Sequence, residues 1–257
     1  MRWSGKVAII TGASRGIGED LARAAVARGA RVGLVARAKD DLERVLASCG
    51  GSGAIAVADV ADRGSVEAAI EALRRELGPA DILVNNAGYA TYGSIADDAV
   101  ENLEGMLRVN YLGTLYTTKA VLPDMIARGS GHVVNVCSMA GFIAVPREGG
   151  YCASKFAVTG FSEALAAELA PCGIRVSTVN PGPVATSFFE ARGHPYVRKF
   201  PKPVPPARVT RAVIRAVERE QAEVFVPAWY RAVLLFKALA PPLYRASVRA
   251  DYRKARG

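Results

Sequence analysis

"KVAIITGASRGIGEDLARAAVARG", residues 6–29, decides the fold. Its first six residues are rich in β-branched apolar side chains, the make-up of a buried strand. TGASRGIG (11–18) follows, with glycines at 12, 16 and 18, and then an amphipathic stretch closed by Gly29. Strand, tight turn and helix in immediate succession begin a βαβ unit. Gly12 permits the turn, Gly16 lets the backbone approach a phosphate, and Gly18 lets the helix pack closely on the strand. The helix N-terminus adds free N–H groups and partial positive charge, which suit a pyrophosphate. The spacing GxxxGxG departs from GxGxxG, so the loop alone leaves both a nucleotide cradle and a ligand-free glycine turn open.

Outward from this unit the same alternation repeats. Apolar strands are expected at 31–36, 54–60, 81–86, 132–138, 175–181 and 223–227. Helices are expected at 40–48, 62–77, 99–127, 151–170 and 208–220. Seven strands separated by helices imply mostly parallel pairing with both sheet faces covered. Right-handed crossovers then give one doubly wound α/β sheet of Rossmann type, a single domain over residues 1–257. Ligands of such sheets bind at the carboxyl ends of the strands, so the informative residues should sit just after strands.

Composition narrows the classes. Hydrophobic residues make up 51% of the chain, with 25 glycines and no low-complexity tract, so a large core is expected and disorder is not. The opening "MRWSGKVAIITGAS" reads as a lead into the first strand rather than a signal peptide. No run of 18 apolar residues suggests a membrane-spanning helix. Four cysteines lack metal-ligand spacing and only His132 and His194 are present, so no metal site is expected and a reduced, cytoplasmic protein fits. The net charge of +9 is concentrated: from Pro227 onward seven basic residues face Asp251 alone, leaving a body near neutral. Nucleic-acid binding is not expected from that distribution, because no stacking aromatics are arranged with the basic residues.

"GGYCASKFAV" (149–158) places Tyr151 four residues before Lys155, on one helix face and about 5–6 Å apart at Cβ. Alone, the pair reads either as two polar tips at a surface or as an acid–base device. Together with its neighbours in the chain it resembles the short-chain dehydrogenase/reductase family. Thr11–Gly18, Asp59–Val60, "NNAG" at 85–88, Asn110, Ser138 thirteen residues before Tyr151, Lys155, and "PGPVAT" at 181–186 follow that family's order. The resemblance covers roughly residues 5–227.

It implies an oxidoreductase that interconverts a carbonyl and an alcohol by hydride transfer. Tyr151 would be the acid/base, and Lys155 would lower its pKa and hold the nicotinamide ribose. Ser138 would orient the substrate oxygen, and Asn110 would support a proton relay through water. Lowering a phenol from its usual pKa near 10 by ~3 units takes about 4 kcal/mol of differential stabilisation, much of which the i+4 lysine and a positively charged nicotinamide in the oxidised complex can supply. The cofactor would lie against Gly12, Ser14, Arg15, Gly16, Ile17 and Gly18, against Asp59 and Val60 at its adenine, and against Asn86, Ala87 and Gly88. Pro181, Gly182, Val184 and Thr186 would close over the nicotinamide. At the end of the second strand stands Ala36, where the family would place an acid for NAD, followed by Arg37. Arg37 and Arg15 suit the 2′-phosphate of NADP(H). Asp40 and Asp41 are expected too far along to replace the acid. The resemblance also implies a homodimer or homotetramer through helices at 99–127 and 151–170.

Two segments remain. In the 187–209 substrate-loop region, Phe188, Phe189, Tyr196 and Phe200 either line an apolar pocket or only anchor the loop. The extension 228–257 carries Leu234, Leu235, Phe236, Leu239 and Leu243, interrupted by Pro241–Pro242 and flanked by basic residues. It suits peripheral association with an anionic membrane surface, or packing across the cleft or on a partner. These features point to a lipophilic carbonyl or alcohol substrate such as a steroid, retinoid or long-chain ketone. The alternative is a non-catalytic dinucleotide sensor or scaffold acting through the tail. The intact Asn110–Ser138–Tyr151–Lys155 set speaks against it.

Overall fold

The computed structural model describes residues 1–198 and 200–254. Arg256, part of the basic tail, lies outside the described residues, as does the side chain of Lys254. Seven strands form one sheet: β1 (Val7–Thr11), β2 (Arg31–Ala36), β3 (Gly53–Val57), β4 (Ile82–Asn85), β5 (Gly131–Val136), β6 (Ile174–Pro181) and β7 (Glu223–Val226). Their order is β3-β2-β1-β4-β5-β6-β7, and every pairing is parallel, where the sequence had suggested mostly parallel. β1 pairs with β2 on one side and β4 on the other, so the order reverses there. The chain leaves β1 for a helix on one face and β4 for helices on the other, which opens a crevice at the carboxyl ends of the strands.

Two apolar layers clothe the sheet. On one face α1 (Gly16–Val26) and α8 (Pro206–Arg219) bury Leu21, Ala25, Val213 and Val217 with Ile10 and Leu34. On the other, α3 (Arg63–Leu77), α5 (Gly113–Arg128) and α6 (Gly149–Leu169) bury Ile70, Leu73, Met125 and Leu165 against Ile9 and Leu83. Each such large side chain contributes about 1.5–3 kcal/mol on leaving water. Asp62 caps α3, its carboxylate accepting from Ser65 N at 2.6 Å. α2 (Lys39–Ser48) closes the β2 edge of the crevice.

Three segments differ from expectation. The stretch 99–127 is helical as expected but not regular: α4 (Val100–Leu107) passes through a π turn at Arg108–Leu112 into α5. Asn110, in that turn, spends its side chain on neighbouring elements rather than on solvent. The loop after β6 holds a short helix, α7 (Phe188–Ala191), and is pinned by a bridge between Val184 and Val204. The tail forms α9 (Tyr230–Leu239) and α10 (Pro241–Lys254), the proline pair opening the second helix rather than merely breaking the first.

The tail lies against the body. Lys237 Nζ donates to the Phe142 carbonyl, and Arg198 pairs with Asp251 at 2.9 Å. Leu239 and Leu243 stay exposed, at 83% and 64%. Among the described residues no helix is long and apolar enough to cross a membrane.

Candidate active site

A cleft of about 710 Å³ runs along the carboxyl ends of the strands and takes residues from both halves of the sheet. One end is built largely from backbone. Gly12 has φ +64°, and a Cβ there would stand 2.8 Å from Ala87 Cα, so the loops after β1 and β4 touch. Asn86 Nδ2 donates to Thr11 O at 3.0 Å and Gly12 O at 3.1 Å. Thr11 Oγ1 accepts from Asn86 N and Ala87 N at 3.0 and 3.1 Å. Gly16 has φ +62° and faces the Thr186 methyl, 3.2 Å from where its Cβ would be. Arg15 caps α1 in extended conformation and no side chain bonds the first turn, which leaves its N–H groups for a ligand. This cradle, too tight for a side chain and rich in donors, fits a pyrophosphate.

Around it the cleft is lined by Ser14, Arg15, Ile17, Arg37, Asp59, Val60, Asn86, Ala87 and Gly88, and on the far wall by Pro181, Gly182, Val184 and Thr186. Gly18 is placed differently from expectation. It does not line the cleft; a Cβ would meet Gly12 O at 2.3 Å, so Gly18 serves helix–strand contact only. Asp41 does line the cleft, contrary to its expected distance, and its carboxylate is 3.5 Å from Arg44. Arg44, which no sequence signal marks, also donates to Ser14 O at 3.0 Å and steadies the glycine loop from α2.

The other end is made of side chains. Ser138 follows β5, while Tyr151 and Lys155 share one face of α6, and all three line the cleft. The Ser138 side chain hydrogen-bonds the Tyr151 phenol. Lys155 is buried, donates to Val136 O at 3.0 Å, and places Nζ 5.8 Å from the Tyr151 ring centroid. Burial pushes the Tyr151 phenol above its ordinary value, with the Ser138 bond acting in opposition, and burial lowers the Lys155 ammonium. The lowering implied by the family resemblance draws on Lys155 together with the positive charge of an oxidised nicotinamide, whereas the direction here comes from the protein's own groups. Desolvation outweighs the Ser138 bond, and the phenol rests as the proton donor.

Asn110 does not line the cleft. Its Nδ2 donates to Tyr89 O and Ser154 Oγ, both at 2.8 Å, and its Oδ1 accepts from Tyr89 N at 2.7 Å. It ties the β4 loop to α6 just behind Tyr151. Cys137 and Cys152 are buried thiols raised by burial, Cys152 to about 11, and so stay protonated.

The substrate-loop aromatics divide. Phe188 packs 5.7 Å from Tyr151, and Phe189 and Tyr196 complete an apolar wall with Ile143 and Val145. Phe200 stacks outside on Trp229 and does not line the cleft. Tyr230, the first residue of α9, is a wall residue the sequence did not disclose: a Cβ on Gly182 would sit 2.1 Å from its hydroxyl. Glu148 and Arg192, a paired carboxylate and guanidinium at this end, were likewise missed. Among the described residues no cluster of side chains suits a metal ion.

The short chain dehydrogenase profile matches residues 6–196, and the chain belongs to the short-chain dehydrogenase/reductase family of oxidoreductases. It is 43% identical over 189 residues to human "Dehydrogenase/reductase SDR family member 7", a match covering 70% of this chain and 56% of that protein. A short chain dehydrogenase from Burkholderia cenocepacia, solved with NADP, superposes with TM-score 0.84 at 30% identity, over 96% of this chain and 99% of that one. The 3-ketoacyl-(acyl-carrier-protein) reductase from Brucella melitensis, solved with NADH, gives 0.81 at 30% identity, over 87% and 97%. One of these two structures thus holds NADP and the other NADH.

Proposed function

We propose that this protein is an NADP(H)-dependent oxidoreductase interconverting a lipophilic ketone or aldehyde and its alcohol. The observation that carries the reading is the convergence of Ser138, Tyr151 and Lys155 at one end of a cleft whose other end is a nucleotide cradle. The nicotinamide, when bound, supplies or accepts the hydride. The chain's residues manage the proton and the oxygen. Tyr151 gives its phenolic proton to the oxygen that becomes an alcohol, or takes it back in the reverse direction. Ser138 offers the same oxygen a second hydrogen bond. Lys155 keeps a positive charge beneath the phenol as it becomes phenolate. Asn110 is a positioning residue that holds the wall behind α6.

The preference for NADP(H) rests on Arg15 and Arg37, exposed at the cleft and without an acidic partner among the described residues, beside Ala36. Asp41 is engaged by Arg44 and leaves the two guanidiniums for a 2′-phosphate. Apolar walls from Phe188, Phe189, Ile143 and Val145 favour a lipophilic substrate. Exposed Leu235, Leu239 and Leu243, with Arg245, Arg249 and Arg253 beside them, suit a resting place on anionic lipid. Exposed Leu107, Ile126 and Phe156 on α4, α5 and α6 suit a second copy, a homodimer.

The test is NADPH oxidation against a panel from small polar ketones to retinal, steroid ketones and long-chain aldehydes, with NADH in parallel. Turnover of lipophilic members with NADPH preferred is expected. Tight NADPH binding with no turnover would move the reading to a dinucleotide sensor.

A further inference from the structure

The proton chemistry above does not use Arg192, yet Arg192 is the most deeply placed guanidinium at the substrate end. It follows α7 directly, and its side chain is 4% exposed. Its Nη1 donates to Glu148 Oε1 at 2.7 Å and its Nε to His194 O at 3.0 Å. The guanidinium lies over the rings of Phe189 and Tyr92, 4.7 and 4.9 Å from their centroids. Tyr92 in turn stacks on His194 at 4.0 Å. One side chain therefore joins the loop after β4, the substrate loop and Glu148, the residue that opens α6 three positions before Tyr151.

Two physical consequences follow. A guanidinium is buried stably only while its charge is matched, so residues 188–194 stay over the cleft only while the pair is made. Glu148, left unmatched, would set a negative charge near the start of the helix that carries the phenol and disfavour phenolate. We propose that the Glu148–Arg192 pair is a latch that holds residues 188–194 over Tyr151 and, while closed, screens the phenol from the charge of Glu148. The inference rests on Tyr151 being the acid/base, and Arg192 acts in it as a positioning residue.

The groups around the phenol are few. From its own helix come Lys155, Cys152 and Glu148, and from the end of β5 Cys137 and Ser138. Behind Glu148 stand Arg192 and Tyr196 from the substrate loop, and Arg147 beside the Tyr92 ring at 5.3 Å. Both thiols are held protonated by burial. At neutral pH, Lys155 and the latch are the charges that bear on Tyr151.

The experiment titrates Tyr151 by phenolate absorbance in protein saturated with NADP⁺, with the matching Tyr151→Phe protein as the blank. It compares wild type, Arg192→Met, Glu148→Gln and the double variant. Arg192→Met should titrate at higher pH, its phenolate fraction at a fixed pH falling roughly three- to tenfold, and Glu148→Gln at lower pH. The double variant should return close to wild type. Amide exchange of residues 188–194 should quicken in both single variants. A general loosening of the loop moves both titrations the same way, and that result, or no movement, overturns the latch. Should Arg192→Met not fold, Glu148→Gln decides: a lower titration supports the latch and an unchanged or higher one overturns it. Absence of turnover on every carbonyl would count against the enzymatic reading while the phenol titration still reports on the latch. Normal turnover with unmoved titrations would count against the latch alone.

Discussion

The two ends of the cleft are built from different materials. The nucleotide end is shaped by backbone: Gly12 and Gly16 at positive φ, the Thr11 and Asn86 bonds between two loops, and the uncapped start of α1. The substrate end is assembled from side chains of three distant segments, with Ile143 and Glu148, Phe188, and Tyr230 on its walls. A backbone cradle depends on a few glycines a short distance apart. A wall of side chains can be rebuilt one residue at a time without touching the sheet. The difference explains how one scaffold can keep a cofactor and change substrates.

Predictions can break that division or sharpen it. Tyr151→Phe should lower kcat by roughly 10²–10⁴ while leaving the NADPH dissociation constant, read by fluorescence titration, about where it was. A parallel loss of cofactor affinity would show that the ends are not separable. The sheet beneath both ends makes its own test. Burial lowers His132 in β5 to about 4, and its Nε2 lies 2.8 Å from Ser177 Oγ. Its folded pKa lies below the usual value near 6.5, so its contribution is complete above that value and is lost as pH falls from about 6.5 toward 4. The expected loss is about 3 kcal/mol over that window. His132→Asn should flatten the fall of the urea midpoint there.

Gly18→Ala should cost about 1–3 kcal/mol in thermal unfolding through its contact with Gly12 O, and distort the cradle rather than the catalytic end. Arg37→Ala should weaken NADPH about tenfold and NADH little; equal weakening would remove Arg37 as the reader of the 2′-phosphate. Leu239→Ser should leave stability within about 0.5 kcal/mol, yet reduce sedimentation with anionic vesicles. Unchanged sedimentation would leave the exposed leucines without a lipid role.

The sequence disclosed the sheet well because its signals are local. Each strand is a short apolar run, each crossover helix has its own period, and parallel pairing follows from their alternation. The i+4 spacing along α6 made Tyr151 and Lys155 visible as a pair, and the resemblance to a known family added Ser138 and chose between the pair's two readings. What escaped was long-range. Tyr230 reaches the wall only because α9 folds back across Gly182, and Glu148 meets Arg192 only once the substrate loop is seated. Asp41 reaches the cleft because α2 starts at the crevice edge. The depth at which Tyr151 is buried was likewise not legible: spacing reveals the lysine but not the desolvation that raises the phenol.

The π turn at Arg108–Leu112 has a geometric consequence of its own. One residue beyond the regular count swings everything before it by about 100° around the axis. α4 and α5 therefore share an axis but not a phase, and a single helical wheel drawn through both assigns the wrong face to one of them. Removing any one residue of the turn would leave charge, composition and strand order almost untouched. It would nevertheless rotate the face of α4 that buries Met106, or carry Asn110 away from Ser154. At this place the chain encodes structure in a residue count, and a length change of one is a heavier mutation than most substitutions.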